Sequence, residues 1–275
     1  EVLNILAESD LPIKNIVLMD VKNNIGKKIF WRDKKFTVIE SKPDSFLGVD
    51  IAIMSAGAKA SKELSPKAVD LGCVVIDNST AFRMSEEHPL VIPEVNANEL
   101  ENHRGIIANP NCSTIQMLVV LSPIHKIYKI ERVVVSTYQA VSGSGLAGTN
   151  ELKKQIHDFS AGEKIISSVY PHQIALNVIP HIDVFLKNGY TKEEMKMILE
   201  TAKILDPNVK ITATTVRVPV ITSHSESLNI QTKNKFKITD IKTLLANSPG
   251  IKLEDNPEKN IYPLPLNSSG KDEVF

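Results

Sequence analysis

Short apolar segments alternate with helical segments through residues 1–112, and this alternation limits the folds that the chain can adopt. A helical pattern opens the sequence at about residues 1–9. Four apolar segments are predicted strands: "NIVLM", "IAIM", "CVVIDN" and "GIIA". Nearly continuous apolar strands with helices between them are typical of parallel strands covered on both faces. The pattern therefore predicts an α/β fold with a doubly wound parallel sheet.

Small or polar residues follow three of these strands. The segments are "SAGAKA", "DNSTAFR" and "NPNCST". The carboxyl ends of parallel strands meet at one edge of a sheet, and ligands bind open α/β sheets there. We therefore expect a functional site that these segments share.

The segment "IIANPNCSTIQM" places Cys112 where a helix begins. Pro110 disfavours helical geometry at the residue before it, so a strand and a tight turn precede the helix. Apolar residues then recur at helical spacing as far as Pro123, which we expect to bend or end the helix. The positive end of a helix favours the reactive thiolate, so Cys112 is a candidate nucleophile. The alternative is a small, buried apolar residue.

From about residue 130 the predicted strands are longer and alternate in polarity. They read "RVVVSTYQA", "KITATTVRVPV" and "ESLNIQT". Helices are predicted near residues 149–158, 191–204 and 239–247. This pattern predicts an α+β region with a mixed, largely antiparallel sheet, and we place the boundary between the two regions at residue 112.

Composition excludes several classes of protein. The 275 residues carry 32 basic and 32 acidic side chains, so no net charge recruits nucleic acid or a membrane surface. No apolar run reaches membrane-spanning length. The two cysteines, Cys73 and Cys112, make neither a disulfide framework nor a metal cluster, which favours a reducing, cytoplasmic setting. We predict a small-molecule substrate and no metal.

Both ends of the chain look trimmed. The first helical pattern has no cap before it, and the final "GKDEVF" has the pattern of a strand. We expect the first strand of the sheet and its glycine-rich loop to be missing. That strand would lie between "NIVLM" and "IAIM", so residues 15–19 and 51–54 should share no backbone hydrogen bonds.

His224 is the histidine that best fits a catalytic base. It lies in "VRVPVITSHSES", between two predicted strands and seven residues after Arg217. A base brought to Cys112 by the fold would complete a nucleophile–base pair. A loop histidine without a catalytic role is the simpler interpretation of the sequence alone.

Two further features allow either a functional or a structural interpretation. The glycine-rich "QAVSGSGLAG" permits close approach of a ligand to the backbone, or is an ordinary loop before a helix. Glu193 and Lys196 share one face of a predicted helix, where a surface ion pair is the default interpretation.

Six segments together resemble the aspartate-semialdehyde dehydrogenase family, in that family's order. They are "NPNCSTIQM", "VSTYQAVSGSGLAG", "YPHQIALNVIPHID", "EEMKMILETAKI", "VRVPVITSHSES" and "YPLPLNSSGKDEVF". The resemblance covers most of the chain from "IMSAGAKAS" onward. It implies a Rossmann-like dinucleotide-binding domain over residues 1–112. It also implies a catalytic and dimerisation domain over residues 113–275, like that of glyceraldehyde-3-phosphate dehydrogenase.

The resemblance also implies roles for single residues. Cys112 is the nucleophile, His224 the general acid and base, and Gln139 the residue that orients the substrate. The implied substrate-binding residues are Arg217 for the carboxylate, Arg83 and Lys196 for the phosphate, and Glu193, with Glu194 as the alternative, for the α-ammonium. Asn111 suits an oxyanion as a hydrogen-bond donor. The predicted cofactor-binding residues are Ser55, Ala56, Gly57, Ser142, Gly143 and Lys22.

The reaction implied is the reductive dephosphorylation of L-aspartyl-4-phosphate to L-aspartate 4-semialdehyde through a cysteine thioester. NADPH is the implied reductant, and a homodimer is expected from the family. The product would serve the biosynthesis of lysine and diaminopimelate, threonine, methionine and isoleucine.

Asp20, at the end of "NIVLMD", departs from the family pattern. An acid at that position more often binds the ribose hydroxyls of NAD and repels a 2′-phosphate. Lys22, Lys27 and Lys28 lie nearby and suit NADP. We predict NADP as the cofactor, against the indication from Asp20.

Two other functions fit the same architecture. One is another acyl-phosphate reductase, of the N-acetyl-glutamyl-phosphate reductase type, which an assay of both acyl phosphates would separate. The other is a non-catalytic dimerising relative. Loss of Cys112, His224 or Arg217 would favour that alternative, and all three residues are present.

Overall fold

The computed structural model describes residues 2–21 and 24–275. The chain forms two compact units. The first comprises Glu1–Val91 and Asn98–Asn109, and the second comprises Ile92–Ala97 and Pro110–Phe275. None of the described helices is both long and apolar enough to cross a membrane.

One helix and two small sheets form the amino-terminal part of the first unit. The elements are α1 (Val2–Glu8), β1 (Met19–Asp20), β2 (Lys28–Trp31), β3 (Lys34–Thr37) and β4 (Ile39–Glu40). β1 and β4 pair in parallel, and β2 and β3 form an antiparallel hairpin. The strand predicted at "NIVLM" was too long, since only Met19 of that segment lies in a strand.

The hairpin was not predicted, and its turn explains why. The chain reverses through Arg32 and Asp33, which have φ angles of 43° and 62°. Two-residue turns with positive φ usually carry glycine or asparagine. An Arg–Asp turn has no such signature, so nothing in the local sequence indicates a hairpin there.

A parallel sheet forms the rest of the first unit, as the sequence predicts. Its elements are β5 (Ile51–Met54), α2 (Ala58–Asp70), β6 (Val74–Asp77) and β7 (Ile106–Ala108). β6 pairs in parallel with β5 on one side and with β7 on the other. Phe46, Leu64 and Val75 are among the buried core residues here.

The prediction about residues 15–19 concerns this sheet. Among the described residues, no backbone hydrogen bond joins residues 15–19 to residues 51–54; β5 bonds to β6, and Leu18 bonds to Ile39. A first strand outside the sequence stays a prediction.

The second unit has a mixed sheet with helices. Its elements are α3 (Pro93–Asn96), α4 (Cys112–Tyr128), β8 (Ile130–Gln139), α5 (Gly145–Ser160), α6 (Lys192–Ile204), β9 (Lys210–Arg217), β10 (Ser225–Thr232), α7 (Ile238–Ala246) and α8 (Pro265–Ser268). β8 is the central strand, antiparallel to β10 and parallel to β9. The predicted mixed sheet is confirmed.

Two local predictions in this unit need correction. Pro123 does not end α4, which continues to Tyr128. The final "GKDEVF" forms no strand in the described residues, only an isolated bridge between Val274 and Ile251. Terminal segments pair only where a neighbouring strand offers an edge, and this cannot be seen from the pattern of one segment.

Glu151 of α5 holds the segment that carries Tyr170. Its buried carboxylate accepts hydrogen bonds from the N–H groups of Ser168 at 2.8 Å, Val169 at 2.5 Å and Tyr170 at 3.3 Å. The Ser168 hydroxyl donates at 2.6 Å. Burial by itself would raise the pKa of Glu151, but these hydrogen bonds outweigh it and lower the pKa. The ionised carboxylate thus fixes the backbone of residues 168–170.

We expect Glu151→Ala to lower the free energy of unfolding by about 3 kcal/mol, because several backbone N–H groups lose their acceptor away from water. Urea unfolding followed by circular dichroism measures the change. Lys153→Ala, at an exposed position of the same helix, is the control and should cost less than about 0.5 kcal/mol. Equal values for the two variants would contradict this role of Glu151.

Candidate active site

Cys112 is the first residue of α4, and Asn111 caps that helix. The Asn111 Oδ1 atom accepts hydrogen bonds from the N–H groups of Ser113 at 3.0 Å and Thr114 at 3.3 Å. The Asn111 N–H donates to the Glu200 carboxylate at 2.7 Å. The predicted order of strand, turn and helix is confirmed. The cap holds Cys112 at the start of the helix.

The surroundings of Cys112 favour the protonated thiol, although the Cys112 side chain itself is exposed. Desolvation by the protein atoms around it raises the pKa of Cys112, and the Glu193 carboxylate raises it further. The Ser113 hydrogen bonds and the Arg217 charge lower the pKa but do not compensate. These two effects oppose the preference of a helix end for the thiolate. The role of Cys112 as a nucleophile stays a prediction.

Cys112 lies in the wall of a pocket of about 300 Å³ in the second unit. Most of the lining side chains are polar or charged, and most were predicted from the sequence. The lining residues are Asn111, Cys112, Gln139, Gly143, Ser144, Ile182, Asp183, Glu193, Lys196 and Arg217. A pocket of this size and polarity suits a small charged metabolite.

Glu193 joins three parts of this pocket through its carboxylate. Its Oε1 atom accepts hydrogen bonds from the amides of Asn111 at 2.9 Å and Gln139 at 3.4 Å. Its Oε2 atom accepts from the Lys196 ammonium at 2.9 Å, and Lys196 also contacts Asp183 at 3.3 Å. Burial alone would raise the pKa of Glu193, yet Lys196 and the two amides lower it. Glu193 and Lys196 are therefore a charged pair that lines the pocket. They are not the surface ion pair that was the default interpretation of the sequence.

Arg217 and His224 meet at the backbone of Ala140. The Arg217 guanidinium donates to the Ala140 carbonyl at 2.6 Å, and the Ala140 N–H donates to Nδ1 of His224 at 3.0 Å. Because Nδ1 accepts a hydrogen bond, the neutral ring carries its proton on Nε2. Desolvation and the Arg217 charge lower the pKa of His224 to about 4. His224 is thus a neutral hydrogen-bond donor through Nε2.

Gly143 packs directly against these two side chains. A Cβ atom added at Gly143 would lie 3.0 Å from Nη1 of Arg217 and 3.3 Å from Cε1 of His224. A Cβ atom here would be closer than ordinary van der Waals contact, so glycine lets the backbone lie close to both side chains. The neighbouring Ser142 donates its N–H to the Ile221 carbonyl at 3.1 Å, and the pocket does not include its side chain.

The other predicted site residues belong to the first unit. An exposed turn follows β5 and consists of Ser55, Ala56 and Gly57. Gly57 has a φ of 85°, which favours glycine, and it directly precedes α2. Arg83 is buried and donates to the Asn78 carbonyl at 3.1 Å. Lys22 lies outside the described residues.

Asp20 is engaged within its own turn. Its Oδ1 atom accepts a hydrogen bond from the Val21 N–H at 2.6 Å, and its Oδ2 atom accepts from the Asn24 amide. Lys27 donates to the Asn24 carbonyl oxygen from the other side. Both carboxylate oxygens of Asp20 therefore have partners in the protein.

The sequence interpretation missed three residues that line the pocket, Ser144, Ile182 and Asp183, and one residue beside it, Tyr170. Asp183 lines the pocket and contacts Lys196, and it has an unusual φ of 66°. Tyr170 places its ring 6.0 Å from the Arg217 guanidinium and donates its hydroxyl to the Val141 carbonyl at 3.4 Å. Both residues lie in or beside the quoted segment "YPHQIALNVIPHID", but nothing in their local pattern indicates a pocket.

The chain matches two domain descriptions of one class of enzyme. Residues 1–103 match "Semialdehyde dehydrogenase, NAD binding domain", and residues 121–275 match "Semialdehyde dehydrogenase, dimerisation domain". The class is thus a two-domain semialdehyde dehydrogenase, which agrees with the parallel and mixed sheets.

Similar proteins identify the family within this class of enzymes. The chain is 48% identical to the aspartate-semialdehyde dehydrogenase of Aquifex aeolicus, over 99% of this chain and 82% of the relative. It is 46% identical to that of Bacillus subtilis, over 100% of this chain and 82% of the relative. The chain belongs to the aspartate-semialdehyde dehydrogenase family, oxidoreductases of amino-acid biosynthesis.

A solved structure shares the fold. Aspartate semialdehyde dehydrogenase II from Vibrio cholerae is 40% identical and superposes with a TM-score of 0.93. The match covers 98% of this chain and 80% of that one. The same Vibrio protein has also been solved in complex with ASA.

We expect iodoacetamide to label Cys112 and to spare Cys73, whose side chain is 1% exposed. The raised pKa of Cys112 means that its labelling rate should still increase with pH beyond about 8.5, the ordinary pKa of a thiol. Peptide mass spectrometry after timed labelling measures both effects. Cys112→Ser is the control and should abolish the rapid labelling. A labelling rate that levels off well below pH 8.5 would contradict the raised pKa.

Proposed function

We propose that this protein catalyses the NADP-dependent reductive dephosphorylation of L-aspartyl-4-phosphate to L-aspartate 4-semialdehyde. The observation that carries the proposal is the pocket in which Cys112 meets Arg217, Glu193 and Lys196. A nucleophile, a planar cation, a carboxylate and an ammonium group together match the functional groups of an aminoacyl phosphate.

Cys112 acts as the nucleophile in this proposal. The Cys112 thiol gives up its proton to solvent, and the resulting thiolate attacks the acyl carbon. The bond between that carbon and the phosphoryl oxygen breaks, and phosphate leaves a thioester on Cys112. NADPH, when bound, supplies the hydride that reduces this thioester. His224 donates a hydrogen bond through Nε2 to the oxygen that gains charge. Gln139 and Asn111 orient the acyl group through their side-chain amides. Collapse of the tetrahedral adduct then releases the aldehyde and the thiolate.

Substrate recognition follows from the charges of the pocket. Arg217 offers two parallel donors to the α-carboxylate, and Glu193 accepts the α-ammonium. Lys196 attracts the phosphate, and Arg83 is the second phosphate ligand expected from the family resemblance. Lys196 also pairs with Glu193 and Asp183, so a phosphate at this position would share the ammonium group with these two carboxylates.

The first unit supports binding of a dinucleotide. The exposed turn at Ser55, Ala56 and Gly57 precedes a helix N-terminus, a position that suits phosphate oxygens. NADP is proposed on the family resemblance and on the lysines that lie near Asp20 in the sequence. The Asp20 carboxylate accepts hydrogen bonds from Val21 and Asn24, and its charge is the feature that favours NAD instead. The remaining cofactor contacts proposed are Lys22, Ser142 and Gly143.

The cellular setting is proposed on the same basis. The match to a dimerisation domain supports a homodimer. A cytoplasmic enzyme that supplies the biosynthesis of lysine and diaminopimelate, threonine, methionine and isoleucine fits a semialdehyde dehydrogenase of this family.

The direct test follows phosphate-dependent oxidation of L-aspartate 4-semialdehyde, the reverse reaction, with NADP and with NAD. We expect turnover that requires phosphate, prefers NADP and is lost in Cys112→Ser, because a serine hydroxyl is far less ionised than a thiol. Cys73→Ser is the matched control and should keep activity. Activity with N-acetyl-glutamate semialdehyde instead would favour the alternative acyl-phosphate reductase, and no activity with either would favour a non-catalytic relative.

Arg217→Lys keeps the positive charge but loses the two parallel donors. We expect kcat/KM for the semialdehyde to fall by at least about 100-fold, a loss of about 2.7 kcal/mol of transition-state stabilisation. Steady-state kinetics measure the loss, and thermal unfolding of the variant shows whether it folds. Arg132→Lys, an exposed position on β8, is the control. Near-native kinetics for Arg217→Lys would make Arg217 a structural residue.

A further inference from the structure

Two polar rows cross the inner face of the mixed sheet. In the first row, Gln139 at the end of β8 pairs with Arg217 of β9, and both line the pocket. His224, which precedes β10, continues this row but is not among the residues that line the pocket. Side chains two residues apart along a strand share a face. The neighbouring row, which lies two residues away from the first on each strand and on the same face, is therefore directly beneath the pocket.

This second row consists of Glu226, Thr137 and Thr215. Thr137 of β8 pairs with Glu226 of β10 on one side and with Thr215 of β9 on the other. The Thr137 hydroxyl accepts a hydrogen bond from the Gln139 amide at 3.3 Å, so the two rows are connected. The lower row thus supports a residue of the pocket.

Glu226 is unusual because its carboxyl group is buried and poorly satisfied. Both oxygens are shielded from solvent, and neither makes a hydrogen bond of normal geometry to any residue in the described part of the chain. The side chain of Gln116, one helical turn after Cys112 on α4, lies close enough to favour the anion slightly. A buried carboxylate without firm partners costs far more than a neutral acid.

We propose that Glu226 is a positioning residue that works as a neutral carboxylic acid, and that its ionisation impairs the reactive groups above it. The proposal rests on the proposed function of this pocket. As a neutral acid, Glu226 lies beside Gln116 and Thr137 and adds no charge there. An anion at this place would oppose the Cys112 thiolate and the oxyanion, because like charges in a desolvated region repel strongly.

The titration of Glu226 has a defined direction. Desolvation raises the pKa of Glu226 to about 8, and Gln116 opposes the shift. The titratable and charged side chains of the neighbouring elements are Cys112 of α4, His224 before β10, Arg217 of β9, and Glu193, Glu194, Lys196 and Glu200 of α6. Glu194 accepts a hydrogen bond from the N–H of Thr215, in the same row as Glu226. A variant that changes Glu226 alone removes only the titration of Glu226 and its effect on these groups, so the ratio of variant to wild-type activity isolates that contribution.

The test compares Glu226→Gln with the wild-type enzyme between pH 6 and pH 9. The amide imitates the neutral acid and cannot ionise, so we expect kcat/KM at pH 7 to stay within about twofold of wild type. With a pKa of about 8 for Glu226, the ratio of variant to wild-type kcat/KM should rise about tenfold from pH 7 to pH 9. Glu131→Gln, exposed on β8, is the control and should leave this ratio constant.

A second measurement does not depend on activity. The folded protein holds the Glu226 proton up to a pKa of about 8, whereas an unfolded glutamate titrates at about 4.3. Retention of this proton in the folded state adds to the free energy of unfolding. The added free energy is fully present below about pH 4 and is lost as the pH rises through about 8. The urea midpoint of wild type should therefore fall relative to that of Glu226→Gln across this window and stay constant above it.

Three results would overturn the proposal. They are a constant ratio of kcat/KM, a large loss of activity in Glu226→Gln at pH 7 with the fold intact, and a difference in urea midpoint that does not change with pH. If wild type shows no semialdehyde oxidation at all, the proposed function fails, and the unfolding data alone decide whether Glu226 is neutral.

Discussion

The buried carboxylate of Glu193 is the interaction on which the pocket depends. A charge removed from water needs partners, and Glu193 obtains them from the cap of α4, the end of β8 and its own helix, through Asn111, Gln139 and Lys196. Asn111 at the same time starts the helix that carries Cys112. One anion thus links the position of the nucleophile to the residues that face it.

The charges around the pocket act on Cys112 in opposite directions. Glu193 raises the pKa of Cys112, and Arg217 lowers both that pKa and the pKa of His224. A cationic group beside Glu193 would weaken the effect of its charge on the thiol.

β8 determines which side chains share the face of the site. It pairs with β10 on one side and β9 on the other, so Gln139, Arg217 and the chain beside His224 converge at its carboxyl end. A shift of one residue in either register would turn these side chains to the opposite face. The layer around Thr137 is therefore as dependent on strand register as the pocket is.

Local chemistry in the sequence was sufficient for several features. Pro110 and the apolar spacing after Cys112 predict where α4 begins, and continuous apolar segments predict the parallel sheet, because these signals act between near neighbours. Only the tertiary structure decided the contacts of the site: Asn111 meets Glu193 across 82 residues, and His224 meets Ala140 across 84. Strand register and helix packing set such pairings, and a single sequence does not encode them locally. For the same reason the raised pKa of Cys112 could not be predicted, since it arises from burial and from a carboxylate distant in the chain.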